Sequence, residues 1–463
     1  MSGTMRLTDE LIRAALAPAD DLSVPASLAD EIRAAVETTP QRRAPLFVLP
    51  ASPRSRLVIQ LVVLGLLALA TVGAIWLVGS RHSSLPSSLG VTTYHGGPER
   101  NGVMQGPAPA GRPIIEWSTS VTGPIGAGSP VVVDGTVFVA DESGIVTALD
   151  EATGHVRWSQ PVGAAINAGV SVADGLLVVG DDAGIIHAFD IGSGGKERWS
   201  YATGPEPVHS AAIIVDGIVY DGGLDGRLFA LDLQTGSVRW GPVQTPGSIS
   251  RSIAFTDGLV FAGSGGTSES DPAILAAYDA RSGMMRWSAK LTRGNTSTIS
   301  VLDGRVFVTG GLDSGSAPDH RLFAFDVSSG SPVWDQAYTA SSHTTLLICA
   351  AADGLVFACG DDGLLYTIEA ASGMLVWTTP IHSSLSPNGG YVGGVLYATS
   401  DDHQVHAIDV STQRESWSVP VAGLPTAPTI VDGRIIVGTS LGKVVSLAAA
   451  SSPAAGVAST GAP

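Results

Sequence analysis

With Trp76 set aside, the tryptophans of this 463-residue chain fall at Trp117, Trp158, Trp199, Trp240, Trp287, Trp334, Trp377 and Trp417, at intervals of 41, 41, 41, 47, 47, 43 and 40 residues. The last seven close one recurring phrase: LDEATGHVRW (149–158), FDIGSGGKERW (189–199), LDLQTGSVRW (231–240), YDARSGMMRW (278–287), FDVSSGSPVW (325–334), IEAASGMLVW (368–377) and IDVSTQRESW (408–417). Between phrases an apolar run meets Asp-Gly and then a second apolar run, as in VVVDGTVFVA and TIVDGRIIVG, with Gly393-Gly394 in the variant copy. Asp-Gly between β-branched runs marks a tight hairpin because glycine accepts positive φ, and Asp-x-x-Thr/Ser-Gly marks a second turn. Each unit therefore reads as four short antiparallel strands. Such a unit cannot cover its own faces, so the period predicts an all-β, eight-bladed β-propeller of four-stranded antiparallel blades over residues 113–447. The eight tryptophans are expected to be blade-packing residues, wedged between neighbours.

The arithmetic of the ends predicts how the ring shuts. The last unit, residues 425–447, lacks a terminal tryptophan, and Trp117 in IIEWSTSV has no strands before it. Each supplies what the other lacks, so the early strand should complete the last blade and leave no free edge. Residues 79–112 read as linker and lead-in, and 448–463, AAASSPAAGVASTGAP, as a disordered tail too small and polar to pack.

Residues 57–78, LVIQLVVLGLLALATVGAIWLV, run for 22 positions without a charge, enough at ~1.5 Å per residue to cross a ~30 Å hydrocarbon layer. One uncleaved transmembrane helix is expected, with Trp76 at its interface. Arg42, Arg43, Arg54 and Arg56 precede it and only Arg81 follows closely, which keeps residues 1–56 cytoplasmic and exports the propeller. Residues 1–56 hold seven basic and seven acidic side chains, so the net charge of −17 belongs to the 18 basic and 35 acidic ones beyond the span. That balance argues against nucleic acid as a partner. In the cytoplasmic segment, DELIRAAL after Thr8 and LADEIRAAV after Ser27 read as two short capped helices, either a docking element or a transient spacer.

The repeated phrase with its Asp-Gly hairpins resembles the pyrroloquinoline-quinone-like (PQQ-like) β-propeller repeat over about residues 94–447, and YHGGPERNGV (94–103) resembles the lead-in of such proteins. The family includes quinoprotein alcohol dehydrogenases and BamB, a propeller lipoprotein of outer-membrane assembly. Resemblance to the first implies a quinone and calcium at the ring centre, carboxylate and amide ligands, an aspartate base and a disulfide between adjacent cysteines. Resemblance to the second implies envelope assembly, but the match departs in anchoring, since the expected transmembrane helix stands in place of a lipoprotein cysteine near the N-terminus.

The channel mouth is expected at the start of each innermost strand, at Asn167, Glu206, His209, Arg251, Arg293, Asn295, His343 and Asn388. Glu206 is the sole carboxylate of that set, whereas calcium takes six to eight oxygens, so PQQ, calcium and other metals are not expected there. Cys349 and Cys359 flank the Asp353-Gly354 hairpin; a cross-strand disulfide and two buried thiols both fit. His403 and His406 stand three apart on a strand, which points them to opposite faces and reads as surface histidine rather than metal site. Asp181-Asp182, Asp361-Asp362 and Asp401-Asp402 sit at turns between second and third strands and read as loop caps. The two 47-residue intervals come from longer loops at that turn, 264–273 and 311–320, which place Glu269, Asp271, Asp313, Asp319 and His320 on a candidate partner rim. The chain is thus expected to be a non-catalytic, membrane-anchored, extracytoplasmic protein-binding or scaffolding module. A quinoprotein oxidoreductase, an envelope-assembly factor and a ligand sensor are the alternatives.

Overall fold

Each Asp-Gly pair folds one strand back on the next through two left-handed residues. Asp134, Asp174, Asp216, Asp257, Asp303, Asp353 and Asp432 all have φ between 47° and 50°, and the glycine after each is also positive. Two successive positive φ values make the two-residue hairpin whose twist matches the strands, and Gly393-Gly394 does the same in the variant copy. In this computed structural model, residues 90–450 are described, apart from 127, 250–252, 266–271, 312–319, 335–336, 341–343, 382 and 385–388. The expected cytoplasmic and transmembrane segments and residues 451–463 lie outside that set. Among the described residues no helix is long and apolar enough to cross a membrane.

The hairpins build eight antiparallel sheets. Within a blade the second and third strands are buried on both faces, as in Thr136–Ala140, while the fourth alternates, as in Val156–Pro161. Seven blades use consecutive strands. The eighth joins Thr429–Val431, Arg434–Gly438 and Lys443–Ala448 to Ile114–Ser120, which pairs antiparallel with Lys443–Ala448 in the register Ile115↔Leu447 and Ser118↔Val445. The early strand therefore closes the ring, and Arg434 Nε donates to Glu116 Oε2 at 2.8 Å across the join.

The recurring tryptophan bridges neighbours in a repeated way. Trp117, Trp199, Trp240, Trp287 and Trp334 donate Nε1 to the carbonyls of Glu151, Leu233, Ala280, Val327 and Ala370, each in the following blade and each just after the acidic residue that opens the Asp/Glu-x-x-x-Gly turn. The glycine of that turn lies against the ring: a Cβ on Gly373 would sit 2.6 Å from Trp334 Cδ2. In the seventh blade Gln413, at φ 61°, replaces this glycine, and Trp377 Nε1 is buried without a hydrogen-bond partner.

Residues 90–108, read from sequence as linker and lead-in, are instead an internal strap. Val91 pairs with Val132 of blade 1, Val172 N of blade 2 donates to Thr92 O, and Gly433 N of blade 8 donates to Pro107 O. The strap runs along the ends of the inner strands nearest the Asp-Gly hairpins. Its Arg100 is wholly buried, with Tyr94 and His95 beside it in the interior.

Candidate functional site

In an antiparallel blade the start of the first strand and the turn between the second and third strands share one end. The channel-mouth residues and the acidic pairs therefore converge, although 15 and 27 residues separate Asp182 from Asn167 and His209. Asn167 Nδ2 donates to Asp182 Oδ2 at 2.9 Å, and His209 Nε2 lies 2.9 Å from Asp182 Oδ1. Glu142, at the matching turn of blade 1, comes close enough that a Cβ on Gly126 would lie 2.6 Å from its Oε1 and 3.8 Å from Asn167 Oδ1. Glu206 is exposed at the same mouth but is not its sole carboxylate, a correction that follows from the shared blade end.

The other mouth positions are less uniform. Asn295 begins the inner strand of blade 5, is exposed, and abuts Gly265. Arg293 ends the outermost strand of blade 4, Met285–Arg293, rather than starting an inner strand, because that strand runs nine residues. In blade 6, Asp362 Oδ2 accepts from Thr344 Oγ1 at 2.9 Å and from the Tyr366 hydroxyl at 2.5 Å. Burial, together with that carboxylate, pushes the Tyr366 hydroxyl well above the usual range. Arg251, His343 and Asn388 lie outside the described residues, as do Glu269, Asp271, Asp313 and Asp319 of the rim. His320 is buried, which removes it from an exposed rim.

The acidic turns do cap their own loops. Asp181 Oδ1 accepts the amides of Ala183 at 3.0 Å and Ile185 at 2.8 Å. Two buried histidines extend this pattern. His187 lies between Asp181 and Glu197, and His406 between Ser400, Asp402 and Glu415. The surface reading of His406 is thus corrected: it lies on a third strand covered by blades on both sides and is 2% exposed. Ser400 Oγ lies 2.7 Å from His406 Nε2, and His406 Nδ1 lies 2.9 Å from Glu415 Oε1, a nucleophile–base–acid row. Ser400 is 1% exposed and also donates to Asp402, so no substrate carbonyl can reach it. Among the described residues no group of three or more His, Cys, Asp or Glu side chains is placed to hold a metal.

Cys349 and Cys359 are joined by a disulfide between the first two strands of blade 6, with Cα atoms 5.8 Å apart. The alternative of two free thiols is thereby removed. The Cys349 carbonyl accepts His95 Nε2 of the strap at 2.7 Å. Burial drives the His95 pKa down to about 4. The sequence reading missed His95 and Arg100; the signal available was a pair of titratable residues within a glycine-rich lead-in that has no strand periodicity.

A family model described as outer membrane protein assembly factor BamB matches residues 109–257, 242–384 and 318–454. BamB of Burkholderia pseudomallei (strain K96243) is 26% identical over 172 residues, covering 36% of this chain and 42% of that protein. The serine/threonine-protein kinase AfsK of Streptomyces griseus is 30% identical over 146 residues, covering 29% of this chain and 18% of the kinase. The chain thus spans less than half the length of these relatives. Among solved structures, BamB from Moraxella catarrhalis superposes with a TM-score of 0.57 at 19% identity, covering 73% of this chain and 99% of the other. Quinohemoprotein alcohol dehydrogenase from Comamonas testosteroni gives 0.58 at 16% identity, covering 79% and 81%. At these identities the structural likeness speaks to fold alone.

Proposed function

Because this chain belongs to the PQQ-like propeller family whose model is described as outer membrane protein assembly factor BamB, we propose that its propeller is a non-catalytic protein-binding module that receives its partner on the mouth carrying Asn167, Asp182 and His209. The observation that carries the reading is the asymmetry of the ring. At the Asp-Gly end the strap makes contact with the inner strands and buries Arg100, whereas at the other end polar side chains remain partly accessible around Asp182. The strands Leu259–Ser264 and Pro272–Asp279, and likewise Arg305–Gly311 and Arg321–Asp326, are the second and third of their blades, so the two 47-residue intervals gain their extra length between strands that end and begin on that same side. Residues 57–78 would anchor the module, with the arginine asymmetry placing the propeller outside the cytoplasm. The relatives named for outer-membrane assembly support a protein as the partner.

A quinone-dependent oxidoreductase would need a calcium ligand set and room at the ring centre. Asp182 is already engaged by Asn167 and His209, and among the described residues no group of three or more His, Cys, Asp or Glu side chains is placed to hold a metal. These engagements support the binding-module reading over the quinone-dependent one. A photo-crosslinking residue placed at Glu206 or at Asn295 in the full chain should capture a protein partner in cells, while the same residue at Asp174, on the strap side, should not. Equal capture from both faces, or dye reduction on adding pyrroloquinoline quinone with calcium, would reverse the assignment.

A further inference from the structure

The innermost strand of every blade is a sheet edge whose free backbone groups face the ring axis, and unpaired edges recruit extended chain. At one level of the ring these groups repeat. The residue two before the hairpin turn donates its amide to a strap carbonyl in five blades: Val172 to Thr92 at 2.8 Å, Phe255 to Pro98 at 2.8 Å, Val301 to Glu99 at 2.9 Å, Ala351 to Asn101 at 2.7 Å and Tyr391 to Gly102 at 2.7 Å. Blade 1 pairs with Val91, and blade 8 donates from Gly433 to Pro107 at 2.8 Å. Blade 3 is met by a side chain instead: Arg100 Nη2 donates to Ala211 O at 2.7 Å and Ala212 O at 2.9 Å.

Backbone pairing of this kind reads little sequence, so selectivity falls on a few positions. Arg100 is 0% exposed; its Nε also donates to Ile253 O at 3.2 Å and its Nη1 to Thr93 Oγ1 at 2.7 Å and to Tyr94 O. The guanidinium carbon lies 5.6 Å from the Tyr94 ring centroid. Its five N–H donors in a rigid fork reach more acceptors, over a wider span, than the three donors of a lysine ammonium. Gly102 and Gly106 have positive φ, and a Cβ would fall 2.9 Å from Ala350 Cβ and 2.8 Å from Val392 Cγ1. The key is therefore Arg-x-Gly-x-x-x-Gly on a turned backbone, with left-handed φ at Arg100, Gly102 and Gly106 and a turn closed by Gly102 N donating to His95 O at 3.1 Å.

We propose that the Asp-Gly ends of the eight inner strands form a peptide-binding seat, and that residues 90–108 are its resident ligand, docked in cis and exchangeable for a peptide that carries the same arginine and glycines and folds through the same left-handed turns. The seat lies opposite the mouth assigned to the partner protein, so the two readings stand or fall separately. The test starts from the full chain with a protease site at the exposed residues 110–112, which separates strap from ring on cleavage. The two pieces should copurify, and a labelled synthetic peptide of residues 90–108 should displace the cut strap at one per ring while uncut protein takes up none. Peptides with Arg100→Met or Gly102→Ala should bind about 100-fold more weakly, the scale set by losing charge-assisted hydrogen bonds in a buried seat. Loss of the folded tryptophan emission on cleavage, or equal binding of the Arg100→Met peptide, would overturn the proposal.

Discussion

Gly354 and Gly373 share blade 6 and nearly the same backbone, φ +73° and +74°, yet only the second faces a tryptophan. An alanine Cβ at Gly354 meets nothing within 4 Å, so Gly354→Ala should cost only the left-handed conformation, about 1 kcal/mol. At Gly373 the same Cβ falls 2.6 Å from Trp334 Cδ2, and Trp334 is 5% exposed with its Nε1 held 3.1 Å from Ala370 O. The indole has no room to retreat, and overpacking adds about 1–3 kcal/mol to the conformational cost. Gly373→Ala should therefore lose about 2–4 kcal/mol in equilibrium urea unfolding, always more than Gly354→Ala. In a Trp334→Ala background the excess should vanish, because the clash partner is gone. Equal losses for the two glycines, or an excess that survives removal of Trp334, would refute the account of how blades are spaced.

Trp334→Phe should cost about 1 kcal/mol more than Trp377→Phe in the same assay, because only Trp334 gives up a hydrogen bond, to Ala370 O, whereas Trp377 Nε1 has no partner. Burial pushes the Asp221 carboxyl up from 3.8 to about 7, so the unfolded chain ionises first and stability falls as pH rises from about 4 to 7. His95 works in the opposite sense: its pKa is lowered from 6.5 to about 4, and stability falls as pH drops through that window. Asp221→Asn removes the first slope, so its stability relative to wild type should climb by up to about 4 kcal/mol between pH 4 and 7; parallel profiles would contradict this. The Cys349–Cys359 disulfide closes a loop of sequence separation 10, worth about 3 kcal/mol of chain entropy, so the Cys349→Ser/Cys359→Ser variant should unfold at correspondingly lower urea.

The blades were legible because their punctuation is local. Asp-Gly dictates a hairpin within two residues, and the tryptophan with its Asp-x-x-x-Gly turn repeats at blade period, so both the blade count and the join of Ile114–Ser120 to Lys443–Ala448 follow from counting. The mouth was legible only in part. Asn167 and His209 could be placed from strand starts, but their tie to Asp182 depends on which ends of antiparallel strands meet, and Arg293 was misplaced because Gly294 alone separates its strand from the next. His406 looked superficial under a two-residue period, yet its strand is covered on both faces, a consequence of blade stacking that no single unit reveals. The strap was opaque because it is held mainly through backbone groups supplied by blades up to hundreds of residues away. His95, for example, meets Cys349 across 254 positions.

Ring closure supports every other claim, and Ser120 and Lys443 test it directly. They are paired across the join, with Lys443 Nζ 2.5 Å from Ser120 Oγ, so their side chains share a face. In a Ser120→Cys/Lys443→Cys variant the two new thiols should form a disulfide under mild oxidation, seen as a crosslinked 120–443 peptide pair by mass spectrometry while Cys349–Cys359 stays intact. Persistently free thiols at 120 and 443 in folded protein, or either one paired elsewhere, would mean that the early strand does not complete the last blade.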